Sequence, residues 1–173
     1  MAIKKIELHS FARPLMTFID ADNILDLDAP YQRGHVWGVE RQRALIESLL
    51  DGTPIPAIIM NDRFRAKFSA EGYDQDRNWS FAVIDGKQRI TAIQSFISDK
   101  FTVPAEWFNE TDIVEDAAGK ENIVFSDLEK SFVRGFKMTT IPVAEGQFAT
   151  LEAEKVIFDR VNFGGVAQGE SDF

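Results

Sequence analysis

Apolar residues change their spacing several times along this chain, and each change marks an element. Residues 24–28, ILDLD, alternate apolar and polar, the period of a short half-buried strand. PYQRGHVW, 30–37, is punctuated by Pro and Gly and forms a loop. Over 39–51 the spacing becomes helical: Leu45, Ile46, Leu49 and Leu50 share one face, Arg41, Arg43, Glu47 and Asp51 lie off it, and Gly52 stands where a helix-ending glycine belongs. TPIP, 53–56, ends that element, and AIIM, 57–60, suits a buried strand. Residues 61–79 are polar and without period, so they predict a long excursion of hairpin-loop type. SFAVI, 80–84, is the next strand, and after Gly86 a helix turns Ile90, Ile93, Phe96 and Ile97 inward.

The second half is less regular. Residues 101–125 mix Pro, Asn, Asp and Gly. Ser126 and Glu129 have capping-box spacing and predict a short helix through Leu128, Phe132 and Val133 to Gly135. KMTTIPV, 137–143, suits a strand, Thr150 suits a helix cap, and the helix over 151–162 runs into NFGG. Strands and helices mix without a strict βαβ order. That predicts an α/β (α+β) fold, a compact domain around a small mixed sheet flanked by helices.

Composition narrows the picture. The chain has 173 residues, suited to a single domain over 1–173 with a real core, and its 15 Phe supply much area to bury. There is no cysteine, hence no disulfide or thiolate chemistry, which fits a cytoplasmic setting. The N-terminal stretch lacks the apolar core of a signal peptide, and no run is long enough for a membrane span. The net charge of −9 argues against holding DNA over the whole surface and leaves only a local basic cleft for that contact. Two groups of acids, Asp20, Asp22, Asp26 and Asp28, then Glu110, Asp112, Glu115 and Asp116, suit solvated faces.

Three stretches carry chemistry. In DGKQR, 85–89, a strand ends, Gly86 turns the chain and a helix begins. The first N–H groups of a helix lack partners within it and attract an anion, and glycine lets a ligand come close. Arg89 can fork onto a phosphate, Lys87 can add a point charge, and Asp85 is reconciled with a phosphate if it holds Mg²⁺ between them. The bland alternative stays open: Asp85 as a helix cap and Arg89 in a surface pair. In YQRGHVW, 31–37, Arg33 suits a phosphate while Tyr31 and Trp37 suit a base, against the alternative of a packed Trp37 and a merely exposed Arg33. His35 and His9 are the only histidines and lie in different elements, so a histidine metal site has no support, and P-loop and GxSxG patterns are missing. In IFDRVNFGG, 157–165, a helix stop is the plain reading, and the functional one sets Arg160 and Asn162 beside the same pocket.

In order, Y-Q-R-x-x-x-W, an amphipathic helix running into D-G-x-P-I-P, a strand, V-I-D-G-K-Q-R-I-T-A-I and I-F-x-R-V-N-x-G-G resemble the DUF262 family, the N-terminal domain of GmrSD-type restriction enzymes. The resemblance runs from about residue 24 to the C-terminus. It implies a ParB/sulfiredoxin-like fold, and nucleotide binding and hydrolysis that license DNA cleavage or nicking in phage defence. Its first motif falls on Gln32, Arg33 and Trp37, its second on Asp85, Gly86, Gln88 and Arg89, and its third on Arg160, Asn162, Gly164 and Gly165. Lys87 stands where the family hallmark D-G-Q-Q-R has Gln.

These strands join in one expectation, a Mg²⁺-dependent NTP hydrolase with Asp85, Gln88 and Arg89 catalytic and Asp85 on the metal. Gln32, Arg33, Trp37, Gly86, Lys87, Arg89, Arg160 and Asn162 would hold the nucleotide. No HNH nuclease motif follows before Phe173, so a stand-alone or phage-borne form, a partner nuclease or a homo-oligomer is expected. The rivals are phosphoryl transfer to a small molecule or modified base, and a non-catalytic DNA- or protein-binding module such as an acidic decoy.

Overall fold

The computed structural model describes residues 6–19, 24–32, 36–69 and 80–164. Its elements in chain order are β1 (His9–Pro14), α1 (Met16–Ile19), β2 (Leu25–Asp26), α2 (Val39–Asp51), β3 (Ile58–Asp62), α3 (Arg63–Ala66), β4 (Phe81–Asp85), α4 (Lys87–Ile97), β5 (Val103–Pro104), β6 (Asn122–Ile123), α5 (Lys130–Met138), β7 (Thr140–Gly146) and α6 (Leu151–Gly164). Five strands form one mixed sheet in the order β1-β7-β3-β4-β2, and β5 pairs with β6 apart from it. β3 runs antiparallel to β4 and parallel to β7, while β2 joins β4 in parallel. The expected α+β fold around a small mixed sheet is what the chain adopts.

Side chains alternate across the sheet. Ile58, Met60, Val83, Ile141 and Val143 enter the main core with Leu45 and Ile46 of α2 and Ile90, Ile93 and Phe96 of α4. Phe96 is fully buried there, its ring 5.7 Å from Phe101, 5.2 Å from Phe125 and 5.8 Å from Phe136. Asn61 and Ala82, paired across β3 and β4, point to the other face, where Asn61 meets Glu154 of α6. Helices therefore flank both faces, α2 and α4 on one and α6 on the other.

Several sequence expectations hold in detail. Gly52 ends α2 at φ 79°, a left-handed conformation that glycine adopts without penalty. Thr150 caps α6 by accepting the Ala153 N–H at 3.2 Å.

Others are corrected. Strand β1 carried no sequence signal: it is an edge strand, mostly exposed, ending in Pro14, so no buried alternation marks it. The Ser126–Glu129 capping box does not form. Residues 125–127 are a 3-10 turn closed by Asp127, and α5 starts at Lys130 with no side-chain cap and runs through Gly135 to Met138. The excursion predicted from residue 61 starts later, because Asn61 and Asp62 complete β3 and Arg63 opens α3. Asp26 is fully buried rather than part of a solvated acidic face, because Arg63 lies against it.

That contact belongs to a buried polar network. The Arg63 guanidinium donates from Nε and Nη2 to the two oxygens of Glu154, each at 2.7 Å, and from Nη1 to Asp26 at 2.8 Å. Arg63 is 4% exposed and both acids 0%. Burial alone would lower the Arg63 pKa, but the hydrogen bonds and charges of Glu154 and Asp26 raise it above its ordinary value. Asn61 donates to Glu154 at 2.7 Å and clasps the Phe148 backbone, donating at 2.8 Å and accepting at 2.7 Å.

Removing one partner of a buried ion pair strands the others and costs about 3–5 kcal/mol. Arg63→Ala should therefore lower Tm by roughly 6–20 °C, at about 2–4 °C per kcal/mol for a domain of this size. Arg65→Ala, whose side chain is 70% exposed, should move it little. Thermal unfolding of the two variants side by side checks this.

Candidate functional site

A cleft opens where β4 ends and α4 begins. It encloses about 680 Å³ and brings together three chain segments: Tyr31, Gln32, Trp37 and Arg41, then residues 84–89, then Lys155, Phe158, Asp159 and Asn162 of α6. Its position at the carboxyl end of a strand, between helices from opposite faces of the sheet, is a common place for ligands in open sheets.

Gly86 makes the turn at φ 105°, and a Cβ there would collide with Ile58. Gly86 is also the N-cap of α4 and has no side chain to offer, and no side-chain cap forms among the described residues. Its first N–H groups therefore keep the anion attraction expected of them. Asp85 is not the cap. Its Oδ2 accepts from Arg89 Nη2 at 2.7 Å, one helical turn on. Arg89 also donates to the Ala57 carbonyl at 3.2 Å, while its Nε is buried without a partner. Lys87 pairs with Asp28 at 2.5 Å, but Asp28 is 74% exposed, and a surface pair of this kind is weak.

The residues of the first motif act on the scaffold. Gln32 donates to the Val83 carbonyl and, at 3.5 Å, to that of Ile84, tying its loop to β4. Gln88 accepts the Trp37 N–H at 3.1 Å, and the Arg41 guanidinium sits 4.5 Å over the Trp37 ring. The Tyr31 ring packs 5.5 Å from Phe158, and its hydroxyl donates to Glu154 at 3.1 Å. Burial first, then the Glu154 charge, pushes the Tyr31 phenol well above its ordinary pKa.

A family model described as GmrSD restriction endonuclease, N-terminal domain, matches residues 16–173. The chain belongs to this family. Comparison with curated proteins and with solved structures returned no match.

In this GmrSD-type domain the cleft gathers Gln32, Trp37, Asp85, Gly86, Lys87, Gln88, Arg89 and Asn162 from the sequence candidates. Arg33, His35 and Gly165 lie outside the described residues. Arg160 is not beside the pocket that Asn162 lines; it borders a separate hollow with Ile6, Glu7, His9 and Phe148. The helix continues through Asn162 to Gly164 rather than stopping before it, and residues two apart on a helix face different ways. No cluster of three or more His, Asp or Glu able to hold a metal occurs among the described residues.

Sequence reasoning passed over Arg41, Lys155, Phe158 and Asp159. The signal was present in spacing: Arg41 follows Trp37 by four, and Lys155, Phe158, Asp159 and Asn162 recur at i, i+3, i+4 and i+7, one face of a helix.

Two measurements test this geometry. Gly86→Ala must place a Cβ against Ile58 at a positive φ, so stability should fall by about 1–3 kcal/mol, read from denaturant unfolding. An exposed tyrosine ionises near pH ~10. Tyr31 should stay protonated beyond that in the folded chain, so its burial stabilises the fold below that pH. That contribution should then be lost as pH rises above ~10. Phenolate absorbance during alkaline titration, compared with Tyr31→Phe, would show an ordinary titration if the burial were wrong.

Proposed function

We propose that this cleft binds a nucleoside triphosphate with its phosphates at the start of α4 and hydrolyses it in support of DNA restriction. Family membership places the chain with restriction proteins of phage defence. The single observation that carries the nucleotide reading is the uncapped helix start at Gly86, opening into a cleft with aromatic walls. Uncapped N–H groups suit phosphate oxygens, and Tyr31, Trp37 and Phe158 suit a base.

Phosphoryl transfer to water asks a protein mainly for positioning and charge neutralisation. The N–H groups of Lys87 and Arg89 would orient the phosphates, and the Lys87 ammonium, weakly held by Asp28, would turn onto them. Asp85 meets Arg89 through Oδ2 and would stand at the phosphate end. One such carboxylate beside substrate phosphates fits Mg²⁺, which needs no protein cage. Mg²⁺ there supplies neutralisation of the phosphate charge. Gln88, which accepts the Trp37 N–H, would orient water. Cleavage of DNA itself would fall to a nuclease domain or partner, with DNA meeting this acidic chain only at a local basic cleft.

Calorimetric titration with ATP, GTP and CTP, with and without Mg²⁺, tests the reading, and binding of none of them overturns it. Arg89→Ala should weaken binding roughly 10- to 100-fold, the effect of one charge-assisted contact made when the guanidinium turns from Asp85 to a phosphate. Asp85→Asn should cut turnover far more than affinity. Full turnover in that variant removes Asp85 from the chemistry, and labelled phosphate on another acceptor replaces hydrolysis by transfer.

A further inference from the structure

The motif cations are already engaged. Arg89 is bound to Asp85 and the Ala57 carbonyl, and Lys87 to Asp28. Among the described residues, four cations and two carboxylates line the cleft, and the other two cations are Arg41 and Lys155. Both are exposed, and neither has an ion pair among the described residues. Arg41 comes from α2 and Lys155 from α6, so they reach the cleft from opposite faces of the sheet. Arg41 is also held over the Trp37 ring at 4.5 Å, which limits the ways its guanidinium can point.

We propose that Arg41 and Lys155 form a two-point anion clamp across the mouth of the cleft, taking the outer phosphates of a polyphosphate ligand. This deepens the nucleotide reading and rests on it for the identity of the ligand. Two cations, one from each helix layer, suit a ligand with several linked anionic groups better than a single phosphate. In a chain of net charge −9 they are also the charges that bring an anion to this opening. Neither residue belongs to the motif stretches, so the clamp is a property of how α2 and α6 are set against β4.

The probe is inorganic tripolyphosphate, titrated at low salt into the wild-type chain and into an Arg41→Ala/Lys155→Ala double variant. The control is Lys130→Ala/Arg134→Ala, which removes the same charge from exposed positions on α5. The clamp requires at least a roughly tenfold loss of affinity in the cleft variant, a control within about twofold of wild type, and an unchanged melting temperature in both. Arg41→Lys with Lys155 intact should recover most of the binding. Equal affinity in the wild type and the cleft variant, equal loss in the control, or no binding by the wild type overturns it. Nucleotides separate the two ideas. If tripolyphosphate binding needs Arg41 and Lys155 but ATP, GTP and CTP bind no tighter than tripolyphosphate, the clamp stands and the nucleotide reading falls. If nucleotides bind the double variant as tightly as the wild type, the clamp falls alone.

Discussion

The arrangement of the domain depends on one buried guanidinium. Arg63 sits where β3 becomes α3 and binds Asp26 of β2 and Glu154 of α6 at once. Desolvating such charges costs several kcal/mol per ion, and good geometry only recovers that cost. The network is therefore better understood as a device that sets position than as a source of stability. Glu154 lies at the centre of it, accepting from Arg63, Asn61 and Tyr31. This placement of the first turn of α6 satisfies all three donors at once.

The consequence is felt in the cleft. Lys155 follows Glu154 directly, and Phe158, Asp159 and Asn162 continue the same helix. Fixing Glu154 fixes the face that α6 presents to the β4–α4 turn. Tyr31 carries the same constraint into the opposite wall, its hydroxyl on Glu154 and its ring on Phe158. The floor is set by a second constraint, the close approach of Gly86 to Ile58, which only a residue without Cβ permits. A floor and walls tied to the core are suited to holding a ligand whose charges must be placed, and Arg41 and Lys155 stand at the rim.

The elements themselves were largely legible. Helices α2 and α4 each bury one stripe, and period alone finds them: Leu45 and Ile46, then Ile90, Ile93 and Phe96. Strands β3 and β4 are apolar runs between turn residues. The cleft was half legible, because Gly86 and its neighbours announce a strand-to-helix turn locally. What failed depended on partners distant in sequence. Asp26 resembled the exposed Asp28 until Arg63, 37 residues away, was placed against it. Asp85 resembled a cap, yet its oxygen turns to Arg89. Edge strand β1 has no buried face of its own and is defined only by pairing with β7.

By itself, then, the sequence determined the local periods, the α+β class, the left-handed turns at Gly52 and Gly86, and the family. Each of these follows from a residue's own conformational range or from spacing within a few turns. Tertiary structure alone decided which charges are spent on one another and which face a ligand. Burial and pairing are properties of where distant segments meet, and a guanidinium or carboxylate carries no mark in the chain of which it will be. Arg63 and Arg41 are the same residue type in similarly polar surroundings of sequence. One lies in the core against two acids, and the other stands over Trp37 at the edge of the cleft.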